Sequence, residues 1–490
     1  MRTDAIGDAL RARAARDAAR PALCAPAEGA VLSFGQLASL SGRILELTGG
    51  DGGTIALYTE SRLAQAALLT AGLMAGCVVC PINPIAKVDV LGRLVRHAKA
   101  VLLIADTTTP GLAAVGASTA QVSTLLQALP SRCTARPSAG SLARGGLLVY
   151  TSGSTGEPKG VRLSESQIAA NVGFAVEHFG YDEEWVAGSV LPLFHTFTVI
   201  SDLLPMMVCG GRVVVTSGFA LAHLPASAHA LAEHRVRSYS GVPIVFDMML
   251  AMRVPLPESM RFAIAGAAPL AEATRTRYQG TYGHPILPCY GLTESTCFAT
   301  VSAPDAIRPS AVGRAAGIEI VIVDDEGAVV TAGATGEIAL RGASVIEGGY
   351  FDDGGANAGA FTEAGRFLSG DIGHLDADGF LFITGRKKNM LIRGGEKVYL
   401  EEVDRCLACH PAVADSCTVR VGARRHDDQA VAFIVPRCGA VDKTALVEHV
   451  TDALGTIARL DDVVVVTEIP RSATGKVLRD VLVASYAERR

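Results

Sequence analysis

The sequence predicts an α/β protein of at least two domains: a large N-terminal domain of parallel-type sheets with helices plus a small β-barrel-like part, then a small α+β C-terminal domain. Three observations predict it. At 490 residues the chain is longer than one ordinary hydrophobic core organises. Up to about residue 385, apolar β-prone runs alternate with helix-period segments, the pattern of strands joined by helical crossovers. After Gly385 a basic cluster (Arg386, Lys387, Lys388) introduces a compact helix and strand unit of about a hundred residues, a common domain size.

Each element follows from local chemistry. The first twenty residues are rich in Arg and Ala, but Asp4, Asp8 and Asp17 depart from the acid-poor composition of a transit peptide and no apolar signal core follows. An amphipathic first helix is expected. Gly53 to Tyr58, Ala100 to Ile104, Gly211 to Val215 and Arg261 to Ile264 read as strands. Residues 66–82 are the most membrane-like stretch, yet they fall short of a span and contain Gly72, Gly76 and Pro81, so they predict a buried helix running into a strand. From Gly317 to Leu340 the alternation shortens, with turn signals at Asp324 to Gly327 and at Ala332-Gly333; this predicts an antiparallel patch or small barrel. Beyond a join at 386–389, separating 1–385 from 390–490, the pattern gives a helix at Leu400 to Leu407, strands at Ser416 to Val421 and Gln429 to Val435, a helix at Lys443 to Leu454 and a strand at Val463 to Val466.

Composition narrows the function. A net charge of −5 gives no reason to expect nucleic acid as a partner, so anionic substrates must be met by local cations and backbone N–H groups. Eleven cysteines without a secretion signal suggest free thiols in a reducing cytoplasm. Cys406-Leu-Ala-Cys-His410 matches the C-x-x-C-H pattern of haem attachment, but that chemistry needs an exported protein and an axial partner; Val403 and Leu407 instead mark one face of a helix. Cys77 and Cys80 lie in apolar sequence and read as core.

The most informative segment is Tyr150-Thr-Ser-Gly-Ser-Thr-Gly-Glu-Pro-Lys-Gly-Val161. Gly146 to Tyr150 is apolar and β-prone, so a buried strand leads into the loop. Gly153, Gly156 and Gly160 let backbone N–H groups converge on an anion, Thr151, Ser152, Ser154 and Thr155 add hydroxyls, and Lys159 adds a point charge. A flexible linker is the plain alternative, but a linker needs no buried strand before it. The loop is not of the G-x-x-x-x-G-K-[ST] type, because Glu157 and Pro158 follow Gly156.

This segment resembles the signature of the adenylate-forming superfamily, which includes acyl- and aryl-CoA synthetases, peptide-synthetase adenylation domains and firefly-type luciferases. The resemblance recurs in order at Leu191 to Thr196, Ala265 to Leu270, Tyr290-Gly-Leu-Thr-Glu-Ser295, Ser369-Gly-Asp371, Gly385 to Asn389, Gly394 to Tyr399 and Pro470 to Lys476. It implies that a carboxylate attacks the α-phosphorus of ATP, that pyrophosphate leaves, and that a thiol takes the acyl group from the resulting acyl-adenylate. It also implies the roles. Thr151, Ser152, Gly153, Ser154, Thr155, Gly156 and Lys159 grip phosphate; Gly266, Ala267 and Ala268 meet adenine, with Tyr290 and Gly291 beside it; Thr293 and Thr155 lie near the phosphates. Glu294, with Thr155, serves Mg²⁺; Asp371 and Arg386 serve the ribose; Lys388 is the hinge of a small domain that turns between half-reactions; Lys476 is the catalytic cation.

Substrate choice follows from one position. Amino-acid-activating relatives place Asp after the Phe of a Phe-Asp motif to pair with the α-ammonium, whereas this chain has Phe194-His195. An α-amino acid is disfavoured, and His195 resembles the residue that borders the carboxylate in CoA synthetases. Phe197, Val199, Val242 and Cys297 are the expected apolar pocket for an aliphatic or aromatic acid. Gly394 to Val398 resembles the loop lining the thiol's tunnel, but Leu400-Glu-Glu402 replaces the usual Pro-x-Glu. The acceptor is therefore CoA or, alternatively, the phosphopantetheine of a carrier protein acting in trans. A binding protein that has lost catalysis is argued against by Lys476, Glu294, Asp371 and Arg386 occurring together, and a luciferase-like oxygenase has no positive signal.

Overall fold

The computed structural model describes residues 5–106, 115, 117–130, 145–151, 158–220, 222–393, 396–422, 429–471 and 477–489. Two mostly parallel sheets dominate the first part of the chain. One takes the order Ser118–Gln121, Leu102–Ala105, Gly53–Tyr58, Cys77–Pro81, Gly146–Thr151 and Lys159–Ser164. Its first five strands are parallel and its last pairs antiparallel. The other, nine-stranded, takes the order Arg314–Ala315, Thr300–Val301, Ile286–Tyr290, Phe262–Ala265, Ser238–Gly241, Val186–Ser189, Arg212–Val215, Pro21–Ala25 and Ala30–Ser33. Its interior pairings are parallel and both edges are antiparallel. Buried on both faces, the interior strands need near-continuous apolar runs rather than alternation, which is why Ile55-Ala-Leu-Tyr58 and Phe262-Ala-Ile-Ala265 read so plainly.

The membrane-like stretch resolves as expected. Helix Arg62–Met74 is buried along nearly its whole length and leads into strand Cys77–Pro81. Gly72 is what lets it lie flat on the sheet, because a Cβ there would stand 2.7 Å from Val79 and 2.8 Å from Ile55. Among the described residues no helix is long and apolar enough to cross a membrane. The N-terminal helix is Ile6–Arg16, with Ile6, Ala9, Leu10 and Ala14 buried. All described cysteines are free.

Helix Glu165–Phe179 organises the site. Ser164 and Gln167 form a reciprocal capping box at its start, and Gly180, with φ of 65°, ends it. From its inner face Asn171 accepts from the N–H of Phe298 and donates to that residue's carbonyl, at 3.1 and 2.9 Å, and Gln167 donates to the carbonyl of Val345 at 2.7 Å. One helix thus fixes two loops far away in sequence.

The chain divides into two compact units, 1–319 with 340–367 and 320–339 with 368–490. A four-stranded sheet takes the order Glu319–Val323, Gly336–Arg341, Phe367–Leu375 and Leu381–Arg386; it contains the expected short strands and turns of 317–340. In the second unit, helix Leu400–Ala408 buries Leu400, Val403 and Leu407 against Ala432 and Ile434 of strand Gln429–Pro436 and Leu446 and Val450 of helix Lys443–Leu454. Strands Val413–Val421 and Asp462–Val465 flank Gln429–Pro436. Residues 386–389, expected as a join, lie inside this unit as a 3₁₀ turn, Lys387–Asn389, between strands Leu381–Arg386 and Met390–Arg393.

Candidate active site

In the first unit the candidate residues gather where parallel strands end, the position at which α/β sheets generally bind ligands. Strand Gly146–Thr151 buries Leu147, Leu148 and Val149, and its last residue, Thr151, lies in register with Lys159 on the antiparallel strand Lys159–Ser164. The residues on either side of 152–157 are thus held by sheet pairing, and Thr151 Oγ1 donates to the Lys159 carbonyl at 3.5 Å. Ser152, Gly153, Ser154, Thr155 and Gly156 lie outside the described residues.

Strand Phe262–Ala265 delivers Gly266 and Ala267. A Cβ on Gly266 would lie 2.8 Å from Cys289 Sγ and 3.0 Å from the Phe197 ring, so only glycine fits, and Ala267 is held at a φ of 66°, a left-handed conformation costing an L-residue about 1–2 kcal/mol. Ala268 follows in the same bend. Strand Ile286–Tyr290 delivers the turn carrying Gly291, Thr293 and Glu294. At Gly291 a Cβ would fall 1.5 Å from the Cys297 carbonyl, so the turn closes on itself there. Thr296, at φ 67°, donates to the Ser344 carbonyl at 2.7 Å.

Glu294 is buried, 9% exposed, in a place reached by two contacts from one distant segment. The Ile346 N–H donates to its backbone carbonyl at 2.9 Å, and the Tyr350 hydroxyl donates to Oε1 at 2.8 Å. Lys159 places its ammonium 4.8 Å from the centroid of the Tyr350 ring, and the Phe351 N–H donates to the Gly160 carbonyl at 2.7 Å. The structure thus brings Lys159 and Glu294 to the same ring. Tyr350 was not among the sequence candidates, and no local signal points to it, because its partner lies 56 residues away.

His195 precedes the short helix Thr196–Thr198 and packs on Phe194 with ring centroids 4.5 Å apart. Burial pushes its imidazole down to about 4, so it is neutral at ordinary pH. Of the expected pocket residues, Val199, Val242 and Cys297 are buried, and half-buried Phe197 lies against Gly266 and the core that contains Val242. A second residue the sequence did not flag, Asp202, sits on the π-helical turn Val199–Leu203. It is 1% exposed, accepts from the Ser240 hydroxyl at 2.7 Å, and is pushed up to about 8 by burial.

In the second unit Asp371 and Arg386 face each other across antiparallel strands, with Arg386 Nε 2.9 Å from Asp371 Oδ1. Asp371 is buried. Lys388, on the 3₁₀ turn, has its ammonium pushed below the ordinary lysine range by burial and by Arg386. Leu400, where the resemblance leads one to expect proline, is the first residue of its helix, the one helical position at which proline is also accommodated, and its side chain fills the core. Lys476, Gly394 and Gly395 lie outside the described residues.

A two-unit α/β chain whose parallel strands end in a glycine- and hydroxyl-rich loop, a close-packed glycine and a buried carboxylate is built as a nucleotide-handling enzyme. The model of the AMP-binding enzyme matches residues 10–351 and that of its C-terminal domain matches 402–476; the chain belongs to the AMP-binding enzyme family. It is 30% identical to the sulfoacetate–CoA ligase of Cupriavidus necator over 97% of both chains, and 35% identical to the indoleacetate–CoA ligase of Aromatoleum aromaticum over 68% of this chain and 66% of that one. Among solved structures, ATP-bound MatB from Rhodopseudomonas palustris shares the fold at a TM-score of 0.89 and 24% identity over the whole of both chains. The o-succinylbenzoate CoA synthetase MenE from Bacillus subtilis, in complex with its acyl-adenylate intermediate, aligns at 0.84 and 25% identity over 97% of each.

Proposed function

We propose that this chain activates an apolar, non-amino-acid carboxylic acid, aliphatic or aromatic, and passes it to the thiol of CoA. The chain is an AMP-forming acid–CoA ligase: it converts a carboxylic acid through an acyl-adenylate. The observation that carries the site assignment is the placing of Lys159 and Glu294 on opposite features of one ring, next to the paired strands that flank 152–157.

A carboxylate is a poor acylating agent, and joining it to ATP crowds anions together, so the residues' work is charge stabilisation and orientation. Thr151, Lys159 and the loop between them hold the phosphates. Gly266 and Ala267 give adenine a flat approach, with Tyr290 beside it, and Asp371 with Arg386 takes the ribose. Glu294 suits Mg²⁺: a single carboxylate is the donor this hard cation commonly takes, and the Tyr350 hydrogen bond to Oε1 occupies only part of its acceptor capacity. Bound Mg²⁺ supplies positive charge to the phosphate oxygens. His195, neutral, donates or accepts a hydrogen bond beside the substrate carboxylate without adding charge. The apolar side chains of Phe197, Val199, Val242 and Cys297 favour an uncharged acyl group.

The domain reading is part of the proposal: 1–385 binds ATP and acid, 386–389 with Lys388 is the hinge, and 390–490 carries Lys476, whose ammonium meets the carboxylate and α-phosphate. Support comes from the 3₁₀ turn at Lys387–Asn389, flanked by strands on both sides. Lys476→Ala is expected to abolish acid-dependent pyrophosphate exchange while sparing thioester formation from a supplied acyl-adenylate. Equal loss of both activities would contradict the division of labour. Comparing CoA with a phosphopantetheinylated carrier protein as acceptor, in the same assay, tests the choice of thiol.

A further inference from the structure

Segment 344–352 touches both ends of the phosphate apparatus, and one side chain makes the decisive contacts. The Tyr350 hydroxyl donates to Glu294 Oε1 at 2.8 Å, while the face of the same ring takes the Lys159 ammonium at 4.8 Å. The backbone carrying the ring is held in place: Asn357 Oδ1 accepts from the Tyr350 N–H at 2.5 Å, and the next residue, Phe351, bridges to Gly160 and stacks edge-on with His97, which hydrogen-bonds Tyr150 at 2.8 Å.

The arrangement solves an electrostatic problem. A lysine and a glutamate that meet directly form an ion pair, and each is then spent on the other rather than on phosphate and metal. Among the described residues Lys159 and Glu294 form no ion pair with each other; an aromatic ring contacts the cation through its face and the anion through its hydroxyl. A phenol hydrogen bond orients a carboxylate without neutralising it, which is how outer-shell groups tune metal ligands generally.

We propose that Tyr350 is a positioning residue: its hydroxyl orients Glu294 for the divalent cation, and its ring holds the Lys159 ammonium apart from that carboxylate for the phosphates. The inference rests on the reading of Glu294 as the cation's ligand. The test is calorimetric binding of α,β-methylene-ATP, which cannot be cleaved at the reacting bond, with Mg²⁺ and with EDTA. Tyr350→Phe is expected to weaken binding about tenfold with Mg²⁺ and to leave binding in EDTA unchanged. Tyr350→Leu, which also removes the ring, weakens binding in both conditions. Tyr350→Phe added to Glu294→Gln causes no further loss. Unchanged Mg²⁺-dependent binding in Tyr350→Phe, equal weakening with and without Mg²⁺, or additive losses in the double variant would each overturn the inference. Wild-type binding that Mg²⁺ does not tighten would instead overturn the assignment of Glu294, and the positioning role with it. A circular dichroism melt confirms that Tyr350→Phe, which keeps the ring, remains folded.

Discussion

At the residue scale, His195 shows how burial sets chemistry. The unfolded chain binds a proton on this imidazole near the ordinary value of 6.5, whereas the folded chain binds it only near 4. Between these values the unfolded state holds more protons, so this group's contribution to stability is complete above about 6.5 and is lost as pH falls through about 4. His195→Phe should therefore flatten the acid limb of stability against pH, measured by urea unfolding at stepped pH; a limb as steep as the wild type's would contradict the assignment. His195 was legible because it sits inside a motif, as was Glu294. Tyr350 was not, because its partner is 56 residues away in sequence and nothing local to Gly348-Gly349-Tyr350 announces a carboxylate.

At the element scale the π-helical turn Val199–Leu203 carries the least expected group. Asp202 is buried, and its Oδ2 has no hydrogen-bond partner among the described residues, so its proton is retained up to about 8 against an ordinary 3.8. Here the sign is opposite to that of His195. Above about 3.8 the unfolded state ionises and the folded state does not, so stability falls as pH rises toward about 8. Asp202→Asn should gain on the wild type progressively across that interval, read as the difference in urea midpoint at pH about 5 and about 8. A constant difference would show that the carboxyl ionises normally. Regular elements were legible where burial forces an apolar run: Gly53–Tyr58 and the helix Lys443–Leu454 have the bounds their sequences suggest. The return strand Lys159–Ser164 was not, since Gly160 beside Val161 breaks the two-residue period of Lys159, Arg162 and Ser164, and it declares itself only through pairing with Gly146–Thr151. The π turn was equally hidden, because Val-Ile-Ser-Asp-Leu carries no local reason to widen a helix.

At the scale of the whole molecule, the order of motifs along the chain matters more than any one of them. Three strands each lead into one candidate segment: Gly146–Thr151 into the glycine- and hydroxyl-rich stretch, Phe262–Ala265 into Gly266 and Ala267, and Ile286–Tyr290 into the turn carrying Glu294. The helix Glu165–Phe179 and the segment 344–352 then tie these ends together by hydrogen bonds spanning more than a hundred residues. The sequence displays the ends of the strands and hides the ties. It also hides how the chain partitions, because strands 320–339 and 368–385 group with the C-terminal residues rather than with the segments that precede them.

As an AMP-forming ligase this chain makes its acyl-adenylate before any thiol is involved. The most direct measurement is the exchange of labelled pyrophosphate into ATP with Mg²⁺ and a panel of carboxylic acids, in the complete absence of CoA. Exchange is expected with an apolar aliphatic or aromatic acid and none with α-amino acids. Exchange that appears only when CoA is added, or turnover that yields ADP and phosphate, would contradict it.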